Sequence, residues 1–501
     1  MGGWELTERN AGSGTYVLAS WVFLRLLGLI YLAAFISLAT QIKGLVGREG
    51  ISPAVEFLQA HKHWGGRRFY RIPTLCWLNQ SDGFLLSLVW GGAALALLLI
   101  VGLAPVPVLV LLWTFYLSLF TVCRTFLGYQ WDILLLETGF LALFLAPLEI
   151  VPRVPPIAAP SPIIIWLFWW LLFRLMFSAG AVKLRSGDAA WRKLTALRHH
   201  YETQPLPTPV AWQAHQLPLH FHKLSAAIMF GIELFVPFLI FAPAPWKYAA
   251  AILFLVLMIL IQLTGNYCFF NFLGIALTVF LLDDKIPLPA LRWILHEPEL
   301  HFNVVAAPVW STWLAAAVAV LLLSLSLEPV LRLFRFGLHR PGPLPAWLEL
   351  FEPFRLVNSY GLFSVMTTER PEIIVEGSYD RTDWREYEFR WKPGDVRRAP
   401  RFVAPHQPRL DWQIWFAALG YYPNQPWFSR FLRRLAAGSP AVLSLLKTNP
   451  FPDAPPRYIR AILYDYRFTV RAERRATGAW WRRERRGLYS PIIDAMGSPD
   501  D

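Results

Sequence analysis

The chain has 501 residues, 55% of them hydrophobic and 16% charged. Apolar runs of about 20 residues recur, each long enough to cross a bilayer, so the class is a polytopic α-helical membrane bundle; a transmembrane barrel of short alternating segments is excluded. The net charge of +13 sits beside spans and near the C-terminus, where the anionic headgroups of the lipid bilayer are the simpler partner, and no motif points to a nucleic-acid partner.

Cys76, Cys123 and Cys268 lie far apart, without a CxxC pair. That excludes a CxxC redox motif or a Cys-rich zinc site and argues against a disulfide framework. The first apolar run is too long for a cleavable signal peptide, so the first span is expected to direct its own insertion.

About eight or nine spans are expected. The first, near residues 16–38, carries Arg25. A polar and aromatic loop over 41–83 follows, expected along the interface and partly helical. Spans near 84–103 and 106–122 are split by Pro105 and Pro107. The fourth, near 131–147, holds Asp132 and Glu137, whose spacing sets them about 140° apart around a helix. They do not form a carboxylate pair on one face, and Glu137 lies deep enough to need a partner.

The fifth span, near 163–182, contains Arg174 and ends at Lys183. An unpaired charge inside a bilayer is costly, so Arg174 is expected to pair with Glu137 or Glu233. The loop over 185–222 carries the helix-breaking PLPTPVAW and five of the eleven histidines: His199, His200, His215, His220 and His222. The sixth span, near 223–242, holds Glu233, and a seventh lies near 248–263. The eighth, near 264–284, opens with Asn266 and Asn271, amides suited to neighbouring helices or a ligand, and closes at Asp283 and Asp284. The ninth lies near 309–327.

Beyond Leu344 hydropathy falls and alternation appears. EIIVEGSYD, WREYEFRWKPGD and YIRAILYDYRFT read as strands, HQPRLDWQIWFAALGY as an amphipathic helix, and LLKTNPF as a helix ending in a turn. The expected division is a membrane domain over 1–344, an appended soluble α+β or β-rich domain over 345–470, and a basic tail over 471–501 suited to a membrane surface. Loops after odd-numbered spans are richer in Lys and Arg, which by the positive-inside rule places them and the C-terminal domain in the cytoplasm.

No nucleophile elbow, P-loop, HExxH or dinucleotide fingerprint is present. The histidines lack the paired spacing of a metal site, so neither metal nor cofactor is expected. Lys183 is the residue best placed for chemistry: a lysine at a dry helix end can act as a base, although most such lysines only reach for the interface.

Several blocks carry a resemblance. GYQWDILLLETGFLALFLAP, LLFRLMFSAGAVKL, LTALRHHYETQPLPTPVAW, LPLHFHKLS and TGNYCFFNFL in the membrane part resemble the lipase maturation factor family. NSYGLFSVMTTERPEIIVEGS, WREYEFRWKPGDVRRAPRFVAPHQPRLDWQIWFAAL and LLKTNPFPDAPPRYIRAILYDYRF continue the match to about residue 468. The resemblance implies a chaperone-like, multi-pass protein of the endoplasmic reticulum membrane that helps secreted lipases fold and assemble. Its C-terminal domain would bind the client in the lumen, against the charge-based orientation. Few cysteines, short loops and no obvious retention signal read as a bacterial member, for which the membrane would be the cytoplasmic one. A shorter likeness, SAGAVKLRSGDAAW, is similar to the membrane motif of vitamin K-dependent γ-carboxylase, whose lysine base corresponds to Lys183, with Trp191 after it.

Two readings follow. In the first, the chain is a non-catalytic maturation factor that grips a secreted lipase or other secreted client through Trp384, Tyr387, Phe389, Trp391, Asp411, Trp412 and Trp415. In the second, it is an intramembrane enzyme for a quinone-like substrate, with Lys183 as general base and His199 or His200 assisting. A transporter using Arg174, Glu137 and Glu233 is a third, without an internal repeat to support it.

Overall fold

A computed structural model describes residues 15–151, 159–286, 308–334 and 346–495. In chain order the membrane part contains α1 (Val17–Ala39), α2 (Asp82–Val101), α3 (Pro105–Val122), α4 (Gln130–Ala142), α5 (Pro162–Arg185), α6 (Ala196–Thr203), α7 (Pro209–His215), α8 (Leu219–Leu234), α9 (Trp246–Thr264), α10 (Phe270–Thr278) and α11 (Val309–Phe334). Seven helices are long and apolar enough to cross a membrane, α8 doing so with its continuation to Phe241. The two remaining expected spans form shorter helices, α4 of 13 residues and α10 of 9. α10 starts late because the turn before it, with Cys268 at φ 56°, carries Asn266 out to meet the C-terminal domain.

At the end where the chain begins, the Asp284 carboxylate accepts from the backbone N–H groups of Val17, Leu18 and Ala19 at 2.8, 3.1 and 3.2 Å. It thereby caps the otherwise unsatisfied first turn of α1. At the same end Lys247 donates to the Tyr16 hydroxyl at 2.6 Å, and Ala104 N–H meets the Ile150 carbonyl at 2.8 Å. The opposite end carries the C-terminal domain. α1 shows why the bundle holds: Phe23, Leu27, Tyr31, Phe35 and Leu38 recur at helical spacing and are buried, while Leu29 and Ile36 face outward.

The C-terminal domain is an antiparallel sheet with the order β3-β2-β1-β4-β5. Its strands are β1 (Arg370–Ser378), β2 (Arg385–Phe389), β3 (Leu446–Thr448), β4 (Tyr458–Phe468) and β5 (Trp481–Leu488), with a short β6 (Ile493–Asp494) also paired to β4. Ile373 pairs with Leu463 and Val375 with both Ala461 and Tyr387, which fixes the inward face. The helices of this domain are α12 (Arg409–Ala418), α13 (Pro426–Ala436) and α14 (Arg471–Thr477). In α13 the run Trp427, Phe428, Phe431, Leu432 and Leu435 is buried, and each such side chain contributes about 1.5–3 kcal/mol.

Three expectations are corrected. LLKTNPF contains β3, not a helix end, because Leu446 pairs with Phe389 across the sheet. The expected tail from 471 is part of the fold: β5 pairs with β4 from Ile462–Leu488 through Phe468–Trp481. Its many arginines decorate an edge strand, as edge strands are commonly charged; residues 496–501 of that tail, and the 344/345 boundary, lie outside the described residues. Finally, α12 is not amphipathic in the ordinary sense. Eight of its ten residues are buried, among them Arg409, Asp411, Trp412 and Trp415, because bundle and sheet cover it from both sides. One continuous hydrophobic cluster runs from Phe23 and Tyr31 through Trp131 and Trp412 to Ile459.

Candidate functional site

The chemistry-bearing residues converge on the seam between bundle and C-terminal domain. Lys183, at the end of α5, reaches Glu233 of α8 and donates to both carboxylate oxygens, at 2.6 and 2.7 Å. The Trp191 ring closes over it with its centre 5.3 Å from Nζ, and the Met229 sulfur lies 3.9 Å away. Trp191 is itself held by Nε1 donating to the Phe363 carbonyl at 2.9 Å. Both carboxylate oxygens of Glu233 are thus taken up by the Lys183 Nζ. Removing either partner from a buried pair costs about 3–5 kcal/mol, so the pair joins two spans before it can do anything else.

His200 lies on α6 with Nε2 3.0 Å from the Tyr267 hydroxyl, its ring against Phe363. Burial, with the nearby Lys183 charge, pushes it down to about 4, so it is neutral near pH 7. His199 makes no ring hydrogen bond among the described residues; its carbonyl accepts from the Thr203 hydroxyl. The structure therefore brings His200, and not His199, towards Lys183. No group of three or more metal-binding side chains occurs among the described residues.

Arg174 pairs with Glu137, one of its two expected partners. What the sequence reading missed is the third component. The segment after 354 enters the bundle: the second Glu137 oxygen accepts from Asn358 N–H at 2.9 Å, from the Asn358 amide at 3.1 Å and from the Tyr360 hydroxyl at 2.7 Å. Arg174 in turn donates to the Asn358 carbonyl at 3.1 Å. Gly361 follows, its N–H bonded to Gln130 at 2.9 Å. Its φ of +147° and its contact with Val182 leave no space for a Cβ. The NSYG run was the available signal, since a Gly after a polar aromatic pair marks close backbone approach.

Three further locks lie at the same end. Arg409 of α12 makes a bidentate pair with Asp132, at 2.6 and 2.7 Å, and Tyr116 donates to the same carboxylate. The Asn266 amide bonds the Leu206 and Arg401 carbonyls at 3.0 and 2.8 Å, while its oxygen accepts from Val403 and Ala404. Asn271 stays within the bundle, donating to Gln262 at 3.1 Å. Arg370 inserts from β1 into the α6–α7 loop, donating to the Glu202 carbonyl at 2.7 Å and the Pro205 carbonyl at 2.8 Å. It also pairs with Glu372, which Lys392 approaches from the other side at 2.9 Å.

The expected client anchors are placed differently. Tyr387, Phe389, Trp412 and Trp415 are buried, and Trp415 donates to the Thr203 carbonyl at 2.9 Å. Asp411 accepts from the N–H groups of Trp391 and Lys392, both at 2.8 Å. Trp391 is half-buried against His406, and Trp384 is half-buried with the Arg460 guanidinium 3.8 Å from its ring centre. Alternation told which residues share a face, but not that this face is core.

The fold and the seam define a multi-pass membrane protein whose sheet domain is bolted to one end of a helical bundle. The family model for the lipase maturation factor transmembrane domain matches residues 18–288, and that for the lipase maturation factor C-terminal domain matches 356–491. The chain belongs to the lipase maturation factor family. It is 38% identical to lipase maturation factor 2 of Gallus gallus over 585 residues, covering 95% of this chain and 81% of that one. The human protein of the same name is 38% identical over 590 residues, at 95% and 83% coverage. Lipase maturation factor 1 of Bos taurus is 35% identical over 511 residues, at 96% and 90%. These relatives are vertebrate proteins and give the expectation of a bacterial source no support. No solved structure matches.

Proposed function

We propose that the chain is a membrane-embedded, chaperone-like maturation factor for secreted lipases, resident in the endoplasmic reticulum membrane with its C-terminal domain in the lumen. The observation that carries this reading is the match over both domains to relatives named lipase maturation factors. A client that is secreted must be met on the lumenal side, which outweighs the Lys/Arg bias of the loops at that end. With Tyr387, Phe389, Trp412 and Trp415 in the core, one apolar surface open to a client is the end of α12, where Leu419 is 42% and Tyr421 70% exposed. The enzyme reading is set aside because Glu233 occupies Lys183.

The test is complementation. In cells lacking their own maturation factor, the chain is expressed with a secreted lipase, and lipase activity per mass of secreted lipase is measured. Activity restored by the wild type, and reduced several-fold by Leu419→Asp with Tyr421→Asp at equal membrane levels, is the expected result. No restoration, with the chain folded and in the membrane, overturns the reading.

A further inference from the structure

Beside the seam, α14, the turn after it and α7 enclose a groove of about 610 Å³, lined by Trp212, Gln213, Trp480 and the arginines Arg471, Arg474 and Arg475. Its floor is aromatic. Trp212 and Trp480 meet edge to face with centres 5.4 Å apart, and the Arg474 guanidinium lies over both, 3.5 Å from the Trp480 ring centre and 4.7 Å from that of Trp212. Stacking fixes the guanidinium plane and leaves its edge N–H groups free for an anion. The Trp212 ring is held in turn by Nε1 donating to the Thr469 carbonyl at 3.0 Å.

Among the described residues the arginines of this groove stand apart from the ion pairs around them. On the adjoining strand Arg482 holds Glu473, Arg483 holds Glu386 and Arg486 holds Glu369. Glu473 is the acid of α14, and it is turned to Arg482. Among the described residues no carboxylate pairs with Arg471, Arg474 or Arg475. A cluster of arginines without carboxylate partners suits the doubly ionisable oxygens of a phosphate.

The groove also lies beside the start of an apolar helix long enough to cross a membrane. α7 lies across the end of α9, with the Thr208 hydroxyl donating to the Leu263 carbonyl at 2.6 Å, and α8 starts at Leu219, just after α7. From there Leu219, Phe221, Leu224, Leu260 and Leu263 face outward, a surface that acyl chains cover. We propose that this groove binds the phosphate headgroup of an anionic phospholipid from the leaflet adjoining the C-terminal domain. The apolar surface at its foot favours a lipid over a soluble phosphate or an acidic peptide.

The test uses the full chain in neutral detergent, titrated with phosphatidic acid or phosphatidylcholine and read by native mass spectrometry. Phosphatidic acid is expected to bind first and at least about tenfold more tightly. Arg471→Gln with Arg475→Gln leaves the stacked Arg474 in place and is expected to weaken it roughly fivefold per arginine, with thermal unfolding unchanged. Arg67→Gln with Arg71→Gln, exposed arginines elsewhere at the same end, keeps the preference. Wild-type binding by the Arg471/Arg475 variant, or an equal loss in the Arg67/Arg71 variant, overturns the proposal. So does displacement of phosphatidic acid by equimolar inorganic phosphate or acidic peptide, which would assign the groove to a soluble anion.

Discussion

Lys183 and Glu233 illustrate how a residue chosen for chemistry turns out to hold helices together. Both are nearly fully buried, and a buried charge left alone is far more costly than the pair. Lys183→Met or Glu233→Leu alone is expected to cost about 3–5 kcal/mol, and the double variant much less than the sum. Thermal unfolding of the four proteins in detergent measures this; additive losses would show that the two act separately. The histidines of the seam give a pH dependence. Burial pushes His200 and His406 each from 6.5 down to about 4, with Lys183 adding for the first and Arg409 for the second. Neutral in the fold, they bind protons more readily once unfolded, so their contribution is complete above about pH 6.5 and is lost as pH falls towards 4. The slope is at most about 1.4 kcal/mol per pH unit for each. Unfolding temperatures recorded between pH 7 and 4 should fall, and His200→Gln with His406→Gln should flatten the curve.

Among the elements, the segment around Asn358–Gly361 has the most consequence. It ties α4 and α5 to the sheet domain through the main chain of Asn358 and Gly361 together with the Asn358 amide and the Tyr360 hydroxyl. Gly361→Ala must fit a Cβ against Val182 at a positive φ, which is expected to cost about 1–3 kcal/mol. Limited proteolysis should then cut the segment faster, while the Asp132–Arg409 lock keeps the domain attached. Unchanged protease resistance would mean the segment is not held as tightly as its hydrogen bonds indicate. α12 supplies the complementary case. Its hydrophobic pattern was readable, but Arg409 and Asp411 look like solvent-facing residues in the sequence. They are buried because their partners, Asp132 and the Trp391–Lys392 backbone, arrive from distant parts of the chain.

At the scale of the whole molecule, four polar locks and one continuous core make the bundle and the sheet domain a single unit. Sidedness then follows for both at once. The three native cysteines are buried, so a single cysteine at the exposed Arg381 reports the side directly. Arg381→Cys is expected to react with a membrane-impermeant maleimide only after sealed microsomes are opened. Labelling of intact microsomes would place the domain in the cytoplasm, as the positive-inside rule has it.

Legible along the chain were the membrane class, the long spans, strands β1, β2 and β4, and the pairing of Arg174 with one of two acids. These rest on local hydrophobic period and on the cost of an unpaired charge in lipid, both visible along the chain. It took the folded chain to assign Glu137 rather than Glu233 to Arg174, leaving Glu233 for Lys183. The fold alone decided that Tyr387, Phe389, Trp412 and Trp415 are core, and that the basic stretch after 470 closes the sheet. Each of these is a choice between faces or partners that local pattern leaves equal, and what breaks the tie is burial by residues far away in the chain.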